Sequence, residues 1–174
     1  MSGSESGKYV LVIGVAAAIV ALDQLTKAWI ASSFRLHDTV PIVDGLVELT
    51  YVRNTGAAFS LLAGRSALFR VPFFTVVAIL AGFAIVGFIR QTPASQRLVL
   101  LACAAVLGGA TGNLIDRLLH GEVIDFVVVH WRDWYWPAFN VADSFITVGV
   151  VVLLGRALFV RDEPVEVAPD AKGS

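Results

Sequence analysis

Val123-Ile124-Asp125-Phe126, an aromatic-rich linker, and Phe139-Asn140-Val141-Ala142-Asp143-Ser144 form the stretch on which the reading of this chain turns. It carries two carboxylates, Asp125 and Asp143, each among apolar neighbours. Apolar runs flank it, Ala105-Val106-Leu107-Gly108-Gly109-Ala110 before and Ile146-Thr147-Val148-Gly149-Val150-Val151-Val152-Leu153-Leu154 after. An ionisable group near hydrocarbon is costly unless it is paired, hydrated or neutralised, so it reads first as a functional group. Two acids forced close together cannot both ionise easily, and a pair sharing one proton offers an acid and a base at once.

The whole chain agrees with a membrane setting. Of 174 residues 57% are hydrophobic and 16% charged, where soluble domains carry about a quarter charged residues. A net charge of −1 gives no reason to expect nucleic acid as a partner. The single cysteine, Cys103, lies in an apolar run, which excludes a disulfide framework and reads as packing.

Outward from the central stretch, four apolar runs are long enough to span, at about 9–30, 69–89, 98–119 and 140–159, since a helix needs roughly 20 residues to cross ~30 Å. Residues 1–8 are small and polar and read as a short disordered lead ending at Lys8. The first run is too long for a signal peptide and lacks a small-x-small cleavage pattern, so it reads as a retained helix. Asp23 and Lys27 near its end are four apart, on one helix face. They fit either an interfacial pair with Lys27 snorkelling to the headgroups or a polar site at the helix end.

Residues 31–68 do not span. Val40–Val43 and Leu46–Val52 are β-prone, and Asp44-Gly45 between them predicts a two-residue hairpin turn. Val47, Leu49 and Tyr51 then share one face, with Glu48 and Thr50 on the other. Asn54-Thr55-Gly56-Ala57-Ala58-Phe59 follows as a tight loop, where Gly56 would let the backbone approach a ligand. Pro72 suits the first turn of the second span. In the third, Gly108 and Gly112 have the small-xxx-small spacing of close helix contact. Gly109, Asn113 and Arg117 make a polar stripe, with Asp116 beside it. The region 1–161 reads as one integral membrane domain, and 162–174 as a disordered cytoplasmic tail.

Four spans put both termini on one side, and Lys8 with the compact Arg90–Arg97 loop assigns that side to the cytoplasm. Trp131, Trp134, Tyr135 and Trp136 then make an aromatic girdle at the outer interface. Under that topology Asp23, Lys27, Asn54, Asn113, Arg117, Asp125, Asn140 and Asp143 all collect at the outer ends of their elements. With a shared proton, one carboxylate can take a proton from water while the other donates to a carbonyl oxygen or a leaving amine, the chemistry of aspartic peptidases. Asn54, Asn113, Arg117 and Asn140 are available to orient the pair or hold a substrate backbone.

Other designs fit less well. His37, His120 and His130 have no metal-ligand spacing. Lys27 could serve a Ser–Lys pair with Ser60 or Ser144, but nothing fixes the serine. Intramembrane Asp and Arg also mark ion- or proton-coupled transporters, yet no internal repeat is present and the polar residues gather at one end. A scaffold would explain Gly108 and Gly112 but not carboxylates in apolar settings.

The blocks Asp23-Gln24-Leu25-Thr26-Lys27, Asn54-Thr55-Gly56-Ala57-Ala58-Phe59, Gly108-Gly109-Ala110-Thr111-Gly112-Asn113-Leu114-Ile115-Asp116-Arg117, Val123-Ile124-Asp125-Phe126 and Phe139-Asn140-Val141-Ala142-Asp143-Ser144 resemble, in order, the motif set of lipoprotein signal peptidases. The resemblance implies an aspartic endopeptidase of the bacterial inner membrane. Such an enzyme cuts diacylglyceryl-modified prolipoproteins just before the lipidated cysteine. It implies a mainly α membrane fold of four transmembrane helices, a small extracytoplasmic β-sheet (the β-cradle) over 31–68, and a short mobile extracytoplasmic helix after Phe59. Asp125 and Asp143 would be the catalytic dyad. Asn54, Gly56, Asn113, Arg117, Asn140 and Ala142 would support it or bind substrate, with Asp23 and Lys27 as structural support. No cofactor or metal is implied. The expected partners are the prolipoprotein, membrane lipids and a globomycin-type inhibitor spanning the dyad, with the enzyme acting as a monomer.

Overall fold

The structure is a computed structural model, and it describes residues 3–55 and 67–159. Four helices are long and apolar enough to cross a membrane. They are α1 (Gly3–Ser33), α2 (Ala67–Gln91), α3 (Arg97–His120) and α4 (Val141–Phe159). α3 is the central one, packed against the other three. Its sequence explains that place: Ala102-Cys103-Ala104-Ala105 and Gly108-Gly109 are small, so neighbouring backbones come close. A Cβ on Gly109 would stand 2.4 Å from the Ala142 carbonyl oxygen, and one on Gly108 2.9 Å from that of Ala16. Glycine is therefore obligatory at 109 for α4 to lie where it does. The outer helices turn large side chains such as Leu25, Phe83 and Leu158 outward, as lipid-facing surfaces do.

At one end of the bundle sits an antiparallel sheet in the order β1 (Thr39–Val43), β2 (Val47–Asn54), β3 (Val123–Trp131) and β4 (Trp134–Tyr135). Its inner face packs Leu49 and Tyr51 of β2 and Ile124 and Phe126 of β3 against Ile30 and Phe34 at the end of α1. The expected facing of Leu49 and Tyr51 holds, while Thr50 on the other face bonds the Asp38 carbonyl at 3.0 Å.

The structure departs from the sequence reading in five places. Residues 3–8 are helical and not a disordered lead: Lys8 is buried and donates to the carbonyls of Arg90 (3.3 Å) and Thr92 (3.0 Å) while pairing with Glu5 at 2.8 Å. Those carbonyls close the end of α2, which explains why a polar start joins the bundle. The stretch after Val123 is a nine-residue strand and not a linker. Its β-branched run pairs with β2, placing Val52 opposite Asp125. The β1–β2 turn spans three residues, because Val43 pairs with Val47 and only Gly45 takes a positive φ, +70°. α2 starts at Ala67, so Pro72 falls in its second turn. Finally, Lys27 is only 2% exposed and does not snorkel. Gly56 and the expected helix after Phe59 lie outside the described residues.

Candidate active site

α4 begins at Val141, which makes Asn140 its N-cap. The Asn140 Oδ1 accepts the Asp143 amide (2.9 Å), and the Asp143 Oδ2 accepts the Asn140 amide (3.2 Å). This is a reciprocal capping box built from Asn and Asp, and it fixes where the Asp143 carboxyl points. The same Asn140 Nδ2 donates to the Asp125 Oδ1 at 2.7 Å. One fully buried asparagine thus ties a carboxylate on a strand to a carboxylate on a helix. The second oxygen of each is held as well, Asp125 Oδ2 by Asn54 Nδ2 and Asp143 Oδ1 by Asn113 Nδ2, both at 2.8 Å.

Both carboxylates line a cavity of about 570 Å³, with Asn54, Asn113, Arg117, Phe74 and Phe139 among its walls. The Arg117 guanidinium donates to the Asn113 carbonyl (3.1 Å) and lies 5.1 Å from the Phe74 ring centroid, which anchors a cation at the rim. Burial is the largest influence on Asp125 and pushes its carboxyl up to about 7. The nearby Asp143 pushes the same way, while the hydrogen bonds from Asn54 and Asn140 and the charge of Lys27 pull against it.

Behind the two carboxylates lies a second polar layer. Lys27 Nζ contacts Asp23 Oδ2 (2.7 Å), Asp116 Oδ2 (3.0 Å) and Asn113 Oδ1 (3.0 Å), so all three of its donors are used. Asn113 Oδ1 also accepts Asn140 Nδ2 at 3.1 Å. Asp23 Oδ1 accepts the Ala142 amide (3.0 Å), and Asp116 Oδ2 accepts the Ile124 amide (3.1 Å). Space for this is set by Gly112, where a Cβ would stand 2.5 Å from Asp23 Oδ2.

Every described residue expected at the site is brought together there: Asp23, Lys27, Asn54, Asn113, Arg117, Asp125, Asn140, Ala142 and Asp143. Two residues carried no role in the sequence reading. Asp116 bonds the Ile124 amide, and Gln24 Nε2 bridges Asp23 Oδ2 (3.2 Å) and Asp116 Oδ1 (2.9 Å). Their advance signals were polarity inside apolar spans and a place within the quoted blocks, next to residues already singled out. Paired carboxylates held by amide donors in a shared cavity can hold one proton between them and act on a water molecule there.

Comparison with known proteins points the same way. The family described as signal peptidase (SPase) II matches residues 15–159. The lipoprotein signal peptidase of Syntrophotalea carbinolica is 50% identical over 140 residues, covering 80% of this chain and 86% of that protein. The one from Neisseria gonorrhoeae is 40% identical over 152 residues, covering 87% and 91%. A solved bacterial membrane enzyme, determined in meso at 1.9 Å resolution, superposes with a TM-score of 0.76 at 32% identity, covering 87% of this chain and 94% of its own.

Proposed function

Since the chain belongs to the signal peptidase II family, we propose that Asp125 and Asp143 are the pair with which it works. It is a multi-pass enzyme of the bacterial inner membrane that removes signal peptides from prolipoproteins, cutting just before the diacylglyceryl-modified cysteine. The transporter reading falls away.

The observation that carries the dyad is the Asn140 bridge, with its side chain on Asp125 at 2.7 Å and its amide on Asp143 at 3.2 Å. With one proton on the pair, the ionised carboxylate takes a proton from water as the water oxygen bonds to the scissile carbonyl carbon. The protonated partner gives its proton to the carbonyl oxygen. The tetrahedral intermediate then collapses: one of its hydroxyls returns a proton to the ionised carboxylate, the C–N bond breaks, and the protonated carboxyl gives its proton to the amine of the cysteine, so the pair again holds one proton. The proton belongs to the pair and not to one residue. Asn54, Asn113 and Asn140 hold the carboxylate oxygens in place for the water, and Arg117 is placed to hold a substrate carbonyl at the cavity rim.

The topology follows from the charges at the two ends. Lys8 and the compact Arg90–Arg97 loop, at the end away from the dyad, support the reading that both termini are cytoplasmic and the dyad lies near the outer face. There the substrate's acyl chains stay in the bilayer while water reaches the bond. The exposed Trp131, Trp134 and Trp136 lie at the interface on this reading. A globomycin-type peptide spans the dyad, and the enzyme acts as a monomer.

The test is gel-shift cleavage of a diacylated precursor by purified protein, with and without globomycin. Asp125→Asn and Asp143→Asn each lower turnover by on the order of a thousandfold or more while the protein stays folded and inserted. Normal turnover by either variant overturns the dyad.

A further inference from the structure

Resting on that reading of Asp125 and Asp143, we infer that Asp116 and Asp23 are matched positioning residues. Each grips the backbone amide one residue before a catalytic carboxylate, and Lys27 with Gln24 locks the two together. Asp116 holds Ile124 N–H at 3.1 Å, just ahead of Asp125, and Asp23 holds Ala142 N–H at 3.0 Å, just ahead of Asp143. The Ala142 amide belongs to the first turn of α4, whose donors have no partner within the helix. α1 supplies one from outside. Lys27 then spans the two grips at 2.7 and 3.0 Å, and Gln24 spans them again at 3.2 and 2.9 Å.

A staple joining α1 to α3 would need only the Lys27 ion pairs. The bonds that Asp116 and Asp23 accept from backbone amides run elsewhere, to β3 and to the start of α4. Lys27's third donor takes Asn113 Oδ1, which leaves Asn113 Nδ2 for Asp143. Rotating that amide would turn its oxygen toward a carboxylate. The second layer therefore sets the backbone under both acids and the orientation of the amide that holds one of them.

The charges matter as well as the shape. The groups facing the dyad are Lys27 and Asp23 from α1, Arg53 from β2, Asp116 and Arg117 from α3, and the amides of Asn54, Asn113 and Asn140. Lys27 favours the ionised dyad, and Asp116 partly neutralises Lys27. Removing the Asp116 charge leaves more of the cation acting on the pair, so the shared proton leaves at lower pH. Removing Lys27 leaves two uncompensated carboxylates and does the reverse.

The experiment measures kcat, KM and the pH dependence of kcat/KM for precursor cleavage by purified full-length variants. Asp116→Asn keeps the shape and an oxygen for the Ile124 amide. It is expected to lower kcat about tenfold with KM little changed, and to move the alkaline limb down by about half a pH unit. Asp116→Ala, which loses the acceptor, drops kcat by about a hundredfold. Lys27→Met moves the limb upward. If Asp116→Ala fails to fold, the near-isosteric Asp116→Asn decides alone. A wild-type kcat for Asp116→Asn, or a reduced kcat with an unmoved limb, overturns the inference. Asp125→Asn runs beside it: if that variant turns over normally, the dyad reading fails, and if it is dead while Asp116→Asn behaves as wild type, only the positioning role fails.

Discussion

Helix α1 buries two lysines, Lys8 and Lys27, nineteen positions apart, or roughly 28 Å along the axis at 1.5 Å per residue. Each is almost fully enclosed and each has three partners. The difference lies in what the partners are. Lys8 meets two backbone carbonyls at the end of α2 and the half-exposed Glu5 of its own helix. Its bonds end in the scaffold. Lys27 meets two carboxylates and an amide, and each of those leads on to a residue at or beside Asp125 or Asp143. A buried cation alone is therefore no sign of a functional site. On the proposed reading of the dyad, where its partners' remaining bonds go separates the lysine of the scaffold from the lysine of the site.

The comparison breaks first at Lys27. Its loss leaves Asp23 and Asp116 buried without their cation, a change that typically costs 3–5 kcal/mol, and Lys27→Met is expected to lose about a hundredfold in turnover as well as thermal stability in detergent. Lys8→Met should cost about 1–3 kcal/mol, because two carbonyls lose a charged donor, and leave kcat of the folded fraction as in the parent. Equal kcat losses at the two positions would erase the distinction drawn between them.

A smaller effect concerns pH. Asp125 is raised from the ordinary 3.8 to about 7, so the folded protein keeps a proton that the unfolded chain has released. Stability from this group is complete below about 4 and falls as pH rises toward 7. The pair also loses its shared proton as pH rises, so kcat/KM should decline on the alkaline side. Thermal unfolding and cleavage across pH 4–9 check both, and a rate still rising at pH 8 would contradict the shared proton. The smallest effect is at Cys103, buried in the core among Val99, Leu100 and Ala104. Cys103→Ala should leave cleavage unchanged and lower stability by about 1 kcal/mol, and a folded but inactive variant would mean the thiol has a role.

The spans were legible because length and hydropathy fix them, and the sheet's first hairpin because Asp44-Gly45 punctuates it. β3 was not, since Val123–Trp131 is apolar on both faces and lacks the alternation that marks a half-buried strand. Lys8 misled because polarity near a chain end reads as solvent. At the site, the side chains were legible as blocks, while the connections were not. The amides of Ile124 and Ala142 are backbone groups, and no residue letter announces where a backbone N–H will go. The Asn140–Asp143 capping box was readable in principle, as Asn and Asp three apart ahead of an apolar run.

The margins of the sheet have a consequence for how a precursor is received. On one side β1 includes Pro41, which has no N–H to offer, and on the other β4 is two residues long. Such borders resist the addition of a foreign strand. An extended polypeptide arriving at either border, β1 or β4, therefore finds little ladder to extend.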